Sequence, residues 1–189
     1  MKPQDKLLFY KYLDAATHYL EYGAGGSTAQ ASRRPGLRTL VSVESDPDWY
    51  ATVQRHVVAS STRSDRLLHI AMDTRPNTWG YPGPSSCHEE RAAYSRVIRT
   101  LDPALQASLD VVLIDGRFRV ACCLHCYESI GDHCRILFDD FLDRPQYSIV
   151  LDFYELVEQT ADKTLVVLKK KPGPSPPAAL IAHYETVAN

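Results

Sequence analysis

Residues 17–32 read THYLEYGAGGSTAQAS, a strand-like run followed at once by small residues. Tyr19, Leu20 and Tyr22 favour extended backbone, and Ser27 or Thr28 can cap a helix through Ala29, Gln30 and Ala31. The stretch reads as strand, tight turn, helix. Gly23, Gly25 and Gly26 occupy the turn, where missing Cβ atoms permit unusual φ values and let a ligand approach the main chain. A nucleotide-like ligand suits such a turn, although glycine-rich turns also serve plain helix packing.

The same alternation continues on both sides of this unit. Leu7, Tyr10, Leu13 and Thr17 recur at helical spacing, which predicts a leading helix over residues 3–16. Downstream, LRTLVSVE gives a second strand ending at Glu44. A helix then runs from Pro47 to about Ala59, with Asp46 as its cap. LLHIAM is a third strand ending at Asp73, followed by a Pro-, Gly- and Ser-rich loop over 74–90. A helix over 89–101 leads into the buried strand LDVVLIDG, and a helix over 120–129 into a fifth strand, CRILFDD. A helix over 147–159 and a sixth strand, TLVVLKK, complete a domain expected over 1–171. Residues 172–189 read as a Pro-rich link and tail that can end as a docked helix.

Helical crossovers between strands require a parallel, doubly wound sheet. The expected fold is therefore α/β, with a mostly parallel sheet of about six strands and helices on both faces. Ligands of such sheets bind outside the carboxyl ends of the strands, where strand order reverses. Gly23 to Gly26, Glu44, Asp73, Asp115 and the pair Asp139 and Asp140 all fall at those ends.

Composition bounds the partners. The chain has 189 residues, 44% hydrophobic and 23% charged, enough for one sizeable core. Lys and Arg number 21 against 23 Asp and Glu, a balance without the electrostatic footprint of a nucleic-acid binder. No stretch approaches the roughly 20 apolar residues of a membrane span, and the first residues do not resemble a signal peptide. Five cysteines, an odd number, argue against a secreted disulfide framework, so a reducing cytoplasm is expected. ACCLHCYESIGDHC invites a zinc reading through Cys122, Cys123, His125, Cys126, His133 and Cys134. It lacks well-spaced ligand pairs, and buried free cysteine is a common core residue.

Glu44 can accept hydrogen bonds from both hydroxyls of a ribose, or instead meet the dipole of the following helix. A dinucleotide site prefers G-x-G-x-x-G or A, and this chain places Thr28 last. LEYGAGGST, VSVESD and HIAMD resemble, in order, the first three motifs of class I S-adenosylmethionine-dependent methyltransferases, over about residues 18–170. The resemblance implies that Glu21 and the glycine turn, with Gly23, Gly25, Gly26 and Ser27, hold the amino-acid part of S-adenosylmethionine. It implies Glu44 for the ribose and Asp73 for the adenine edge.

VVLIDGRFRVAC resembles a fourth motif of small methyltransferases related to catechol and macrocin O-methyltransferases. That likeness implies a divalent ion, Mg²⁺ or Mn²⁺, on Asp115, Asp139 and Asp140, orienting an acceptor hydroxyl and lowering its pKa. A second reading stands beside it: Asp139 and Asp140 cap a turn while Asp115 meets Arg117 or Arg119. Without a metal, Asp115 is a candidate catalytic base. Arg117 and Arg119 can recognise a carboxylate or phosphate on the acceptor, or pair with neighbouring acids. Trp79, Tyr81 and His88 can stack on adenine or close over the acceptor, or simply cover core surface.

The expected activity is methyl transfer from S-adenosylmethionine to an oxygen of a small-molecule acceptor. A nicotinamide-dependent oxidoreductase and a non-catalytic donor-binding module are the alternatives. Relatives usually end in a hairpin of two strands, and only TLVVLKK is clear here. That leaves a site open on one side, which a second copy of the chain could complete as a homo-oligomer.

Overall fold

The computed structural model describes residues 3–57 and 64–188. Its elements, in chain order, are α1 (Pro3–Leu13), β1 (His18–Tyr22), α2 (Gly26–Ala31), β2 (Thr39–Glu44), α3 (Pro47–Val57) and β3 (Ser64–His69). There follow α4 (His88–Ser95), α5 (Val97–Thr100), α6 (Pro103–Ser108), β4 (Val111–Ile114), α7 (Arg119–Ser129) and β5 (Arg135–Phe138). A 3₁₀ helix (Pro145–Asp152), β6 (Tyr154–Gln159), β7 (Val166–Lys170) and α8 (Ala178–Tyr184) complete the chain. The helix expected to reach Ala59 is described as far as Val57; its last two expected positions lie outside the described residues.

Among the described residues, seven strands form one sheet in the order β3-β2-β1-β4-β5-β7-β6. The first five are parallel; β7 runs antiparallel to both β5 and β6. Every residue of β4 is buried, as expected of a strand covered on both faces. On one face, Leu8, Phe9 and Leu13 of α1 and Ala31 of α2 pack on Tyr19, Leu40, Leu113 and Val167. On the other, α4, α5 and α7 pack on Leu20, Val43, Val112 and Ile136. Asp110 ties the start of the sheet by accepting from the backbone N–H groups of Thr17 and His18.

The architecture expected from sequence is present, with three corrections. Residues 147–159 are not one helix: a 3₁₀ helix gives way at Phe153 to β6, whose burial alternates with period two. The terminal hairpin of β6 and β7 is therefore complete. The third strand ends at His69, not at Asp73, because its register pairs His69 with Glu44. The helix expected over 89–101 is broken at Arg96 into α4 and α5.

The tail carries α8, with Ile181 buried, and Glu185 just beyond it anchors the segment. Glu185 accepts from Arg96 Nε and Nη2 at 2.8 and 2.9 Å and from His125 Nε2 at 2.8 Å. Cys122, Cys123, Cys126 and Cys134 are buried free thiols of the core, and Cys87 is exposed. Among the described residues, no helix is long and apolar enough to cross a membrane.

Candidate active site

The strand order reverses between β1 and β4, and the chain opens there. A cavity of about 980 Å³ extends from Gly23 to Ser27 and Glu44 to Asp115, Gly116, Arg117 and Arg119. The crevice between β1 and β4 exists because two glycines meet across it. Gly23 has φ +94°, and a Cβ there would lie 2.8 Å from Gly116 Cα. A Cβ on Gly116 would collide with the hydroxyl of Tyr94.

Gly25 and Gly26 serve differently. A Cβ on Gly26 would meet nothing within 4 Å, and one on Gly25 only the Trp49 ring at 3.7 Å. Space above the turn is therefore open, with Trp49 beside it, its Nε1 donating to Ala24 O at 2.7 Å. The turn is held from beneath. Thr28 Oγ1 accepts from Gly25 N–H at 2.7 Å and donates to Glu21, which also accepts from Tyr19 and Ser42. Glu21 is fully buried and does not line the cavity, and its hydrogen bonds hold the turn from beneath. Burial raises its pKa, opposed by the surrounding hydroxyls.

Glu44 does reach the cavity, 7% exposed. Its Oε1 accepts from Ser45 and Asp46 N–H at 2.7 and 2.9 Å, and Oε2 from Ala24 N–H at 3.2 Å. With two lone pairs per oxygen, Oε2 alone keeps capacity for a ligand. Burial raises the Glu44 pKa against these three backbone donors.

Asp73 is elsewhere. Lying four residues past the end of β3, it accepts from Ser85 N–H at 2.9 Å through its carboxylate and from Gly83 N–H at 2.7 Å through its carbonyl. It shapes the 74–86 loop and does not line the cavity. That loop folds back over the end of β2: Gly80, at φ +72°, sits so that a Cβ would be 2.9 Å from Ser45 Oγ. Arg117 Nε clasps it by donating to Trp79 O at 2.9 Å. Trp79 lines the cavity, and the Tyr81 ring lies under the guanidiniums of Arg75 and Arg117. His88 belongs to α4 and faces Glu185 at 3.9 Å.

The acids after β4 and β5 do not form a metal site. Arg119, 4% exposed, lies among them. Its Nη2 donates to Asp115 Oδ1 at 3.2 Å, its Nη1 to Asp140 Oδ2 at 3.1 Å and to Asp139 O at 2.6 Å, and its Nε to Gly116 O at 2.9 Å. The guanidinium is the cation of this cluster. The Asp115 and Asp139 carboxyls lie close enough to influence each other, so burial and their mutual charge disfavour ionising both. Burial, then the Asp115 charge, pushes Asp139 up to about 8. Burial also raises Asp115, against the pull of Arg119. Among the described residues, no group of three or more His, Cys, Asp or Glu side chains is arranged to hold a metal ion. The residues do not fit the divalent ion implied by resemblance; Asp115 meets Arg119, as in the second reading, and Asp140 joins that pairing instead of only capping a turn.

Arg119 lines the cavity with its donors committed to these acids and carbonyls, while Arg117 lines it without a carboxylate partner among the described residues. Sequence reading missed Trp49, Tyr94 and the α1 residues Lys6, Phe9 and Tyr10, all of which line the cavity. Their helical spacing marks them as packing residues, and only the fold brings α1 to this edge.

No protein-family model matches the chain, and no curated protein matches it. Solved structures do. A methyltransferase-like protein from Silicibacter pomeroyi is 28% identical, with a TM-score of 0.85 over 99% of this chain and 96% of that one. A TehB-like SAM-dependent methyltransferase from Corynebacterium glutamicum is 12% identical, with a TM-score of 0.51 over 86% of this chain and 87% of that one. The mitomycin 7-O-methyltransferase MmcR is 13% identical, with a TM-score of 0.51 over 89% of this chain and 53% of that one. By its sheet topology, and by its likeness to these structures, the chain has the fold of class I S-adenosylmethionine-dependent methyltransferases.

Proposed function

We propose that this protein is an S-adenosylmethionine-dependent methyltransferase acting on an oxygen of a small-molecule acceptor, with Asp115 taking the acceptor's proton. One observation carries the reading: a single cavity joins the glycine turn and Glu44 to Asp115. When bound, S-adenosylmethionine supplies a methyl group on a positively charged sulfur. The open face above Gly25 and Gly26 fits its amino-acid part, and Glu44 Oε2 can receive one ribose hydroxyl. Asp115 is oriented by Arg119 and lies beside the Asp139 carboxyl. Its raised pKa makes it a better proton acceptor than an ordinary aspartate. The acceptor hydroxyl gives its proton to Asp115, its oxygen bonds to the methyl carbon, and the electron pair of the broken carbon–sulfur bond stays on sulfur. No step runs through a divalent ion, because Arg119 fills the space among the acids.

Calorimetry tests the donor site. S-adenosylhomocysteine should bind and NAD should not. Asp115→Asn should retain that binding within a few-fold and abolish transfer to the acceptor. Binding of NAD in its place, or no binding of the homocysteine product by folded protein, overturns the reading.

A further inference from the structure

We propose that Arg117 recognises a carboxylate on the acceptor, so that the substrates are small hydroxylated organic acids; this rests on the methyl-transfer reading above. Arg117 follows β4 by three residues and lines the cavity, yet it pairs with no acid among the described residues. Its Nε is used by Trp79 O, and its two Nη groups have no hydrogen-bond partner there. A guanidinium carries five donors, and the Arg117 Nη groups, turned to the cavity rather than spent on a protein acid, are available to a ligand.

The surroundings make the vacancy specific for an anion. The neighbouring guanidinium of Arg119 is fully engaged with Asp115, Asp140 and three carbonyl oxygens, so it does not compete for the ligand. Burial, then the Arg119 charge, lowers the pKa of Arg117. Lys6 of α1 lines the same cavity and has no ion-pair partner among the described residues. A planar fork of N–H donors matches a carboxylate in two parallel bonds. The hold on Trp79 O and the Tyr81 ring, 5.8 Å from the guanidinium, fixes the fork in place.

The position assigns the anion to the acceptor. Arg117 stands two residues beyond Asp115 on the same strand-end turn, so a carboxylate held there belongs to the molecule whose hydroxyl faces Asp115. The donor's amino acid is assigned by the reading above to the open face over Gly25 and Gly26.

The test uses thermal denaturation of the protein saturated with S-adenosylhomocysteine, with benzoate, its uncharged isostere benzamide, and phenyl phosphate as probes. Benzoate should raise Tm, benzamide should not, and phenyl phosphate should do less than benzoate. Arg117→Met should weaken the benzoate response by about tenfold or more, as expected for lost charge-assisted bonds, and leave S-adenosylhomocysteine affinity within twofold. Arg117→Lys should restore part of the response. Equal responses to benzoate and benzamide, or a benzoate response that survives Arg117→Met, overturn the proposal. A larger response to phenyl phosphate reassigns the acceptor to phosphate esters. If Arg117→Met weakens S-adenosylhomocysteine but not methylthioadenosine, which lacks the amino acid, Arg117 serves the donor instead. Failure of wild-type protein to bind S-adenosylhomocysteine sinks the methyl-transfer reading, and the benzoate comparison without it still decides Arg117.

Discussion

Gly23 and Gly25 stand two residues apart in one turn and answer to different physics. Gly25 has an extended φ of 167° and faces open space, so a side chain there obstructs a ligand without straining the fold. Gly23 has both a left-handed φ and backbone 2.8 Å from where its Cβ would stand. Gly23→Ala should therefore destabilise the free protein by about 1–3 kcal/mol, the cost of a strained backbone position. Gly25→Val should weaken S-adenosylhomocysteine while melting near wild type. Thermal denaturation and calorimetry of both variants separate the two roles. Asp139 is the second residue whose environment sets an observable. Its folded pKa of about 8 lies above the ordinary value of 3.8, so folding takes up a proton between the two. Its contribution to stability is fully present below about pH 4 and is lost as pH rises through about 8. Asp139→Asn cannot titrate, and its stability measured by urea denaturation from pH 4 to 9 should lose that downward slope; an unchanged slope places the proton elsewhere.

Elements differ in how plainly residues announce them. The first strand, glycine turn and β4 are legible because burial on both faces writes continuous apolar runs, as in VVLI. β6 was hidden by its place at the edge, where YELVEQ alternates weakly and a bulge between Leu156 and Glu158 interrupts the alternation. The end of β3 was misplaced because HIAM is apolar beyond its pairing with β2, and Asp73 moved with it from the cavity to the loop. Glycines and Glu44 could be placed from order alone, since strand ends share one edge. Arg119 could not: an arginine four residues after Asp115 says only that the two can meet, and convergence with Asp139 and Asp140 requires β4 beside β5. The docking of the tail has the same character, since Arg96 and His125 come from α4–α5 and α7. Glu185→Ala should cost about 2–3 kcal/mol, less than the about 3–5 of a fully buried pair, because Arg96 is partly exposed. S-adenosylhomocysteine affinity should be unaffected, as α8 does not line the cavity. A parallel loss of affinity in calorimetry would show that the tail reaches the site.

At the scale of the whole molecule, one edge of the sheet gathers parts from distant stretches: α1, the glycine turn, the start of α3, the 74–86 loop and the turn after β4. The protein has two tryptophans, Trp49 and Trp79, and both line this cavity from different elements. Intrinsic fluorescence therefore reports on the site without a label. Trp49 is tied to Ala24 O and stands beside the glycine turn, so the adenosyl ligand should change its emission directly. Trp79 is 81% exposed on the loop that Arg117 clasps, so its emission should respond to whatever engages Arg117. Titrating S-adenosylhomocysteine into Trp79→Phe should keep most of the wild-type change, and into Trp49→Phe should lose most of it. Benzoate added to the adenosyl complex should reverse that ranking, with the remaining signal carried by Trp79. If both ligands report through the same tryptophan, the two ends of the cavity are not separate subsites, and the donor and acceptor compete for one place.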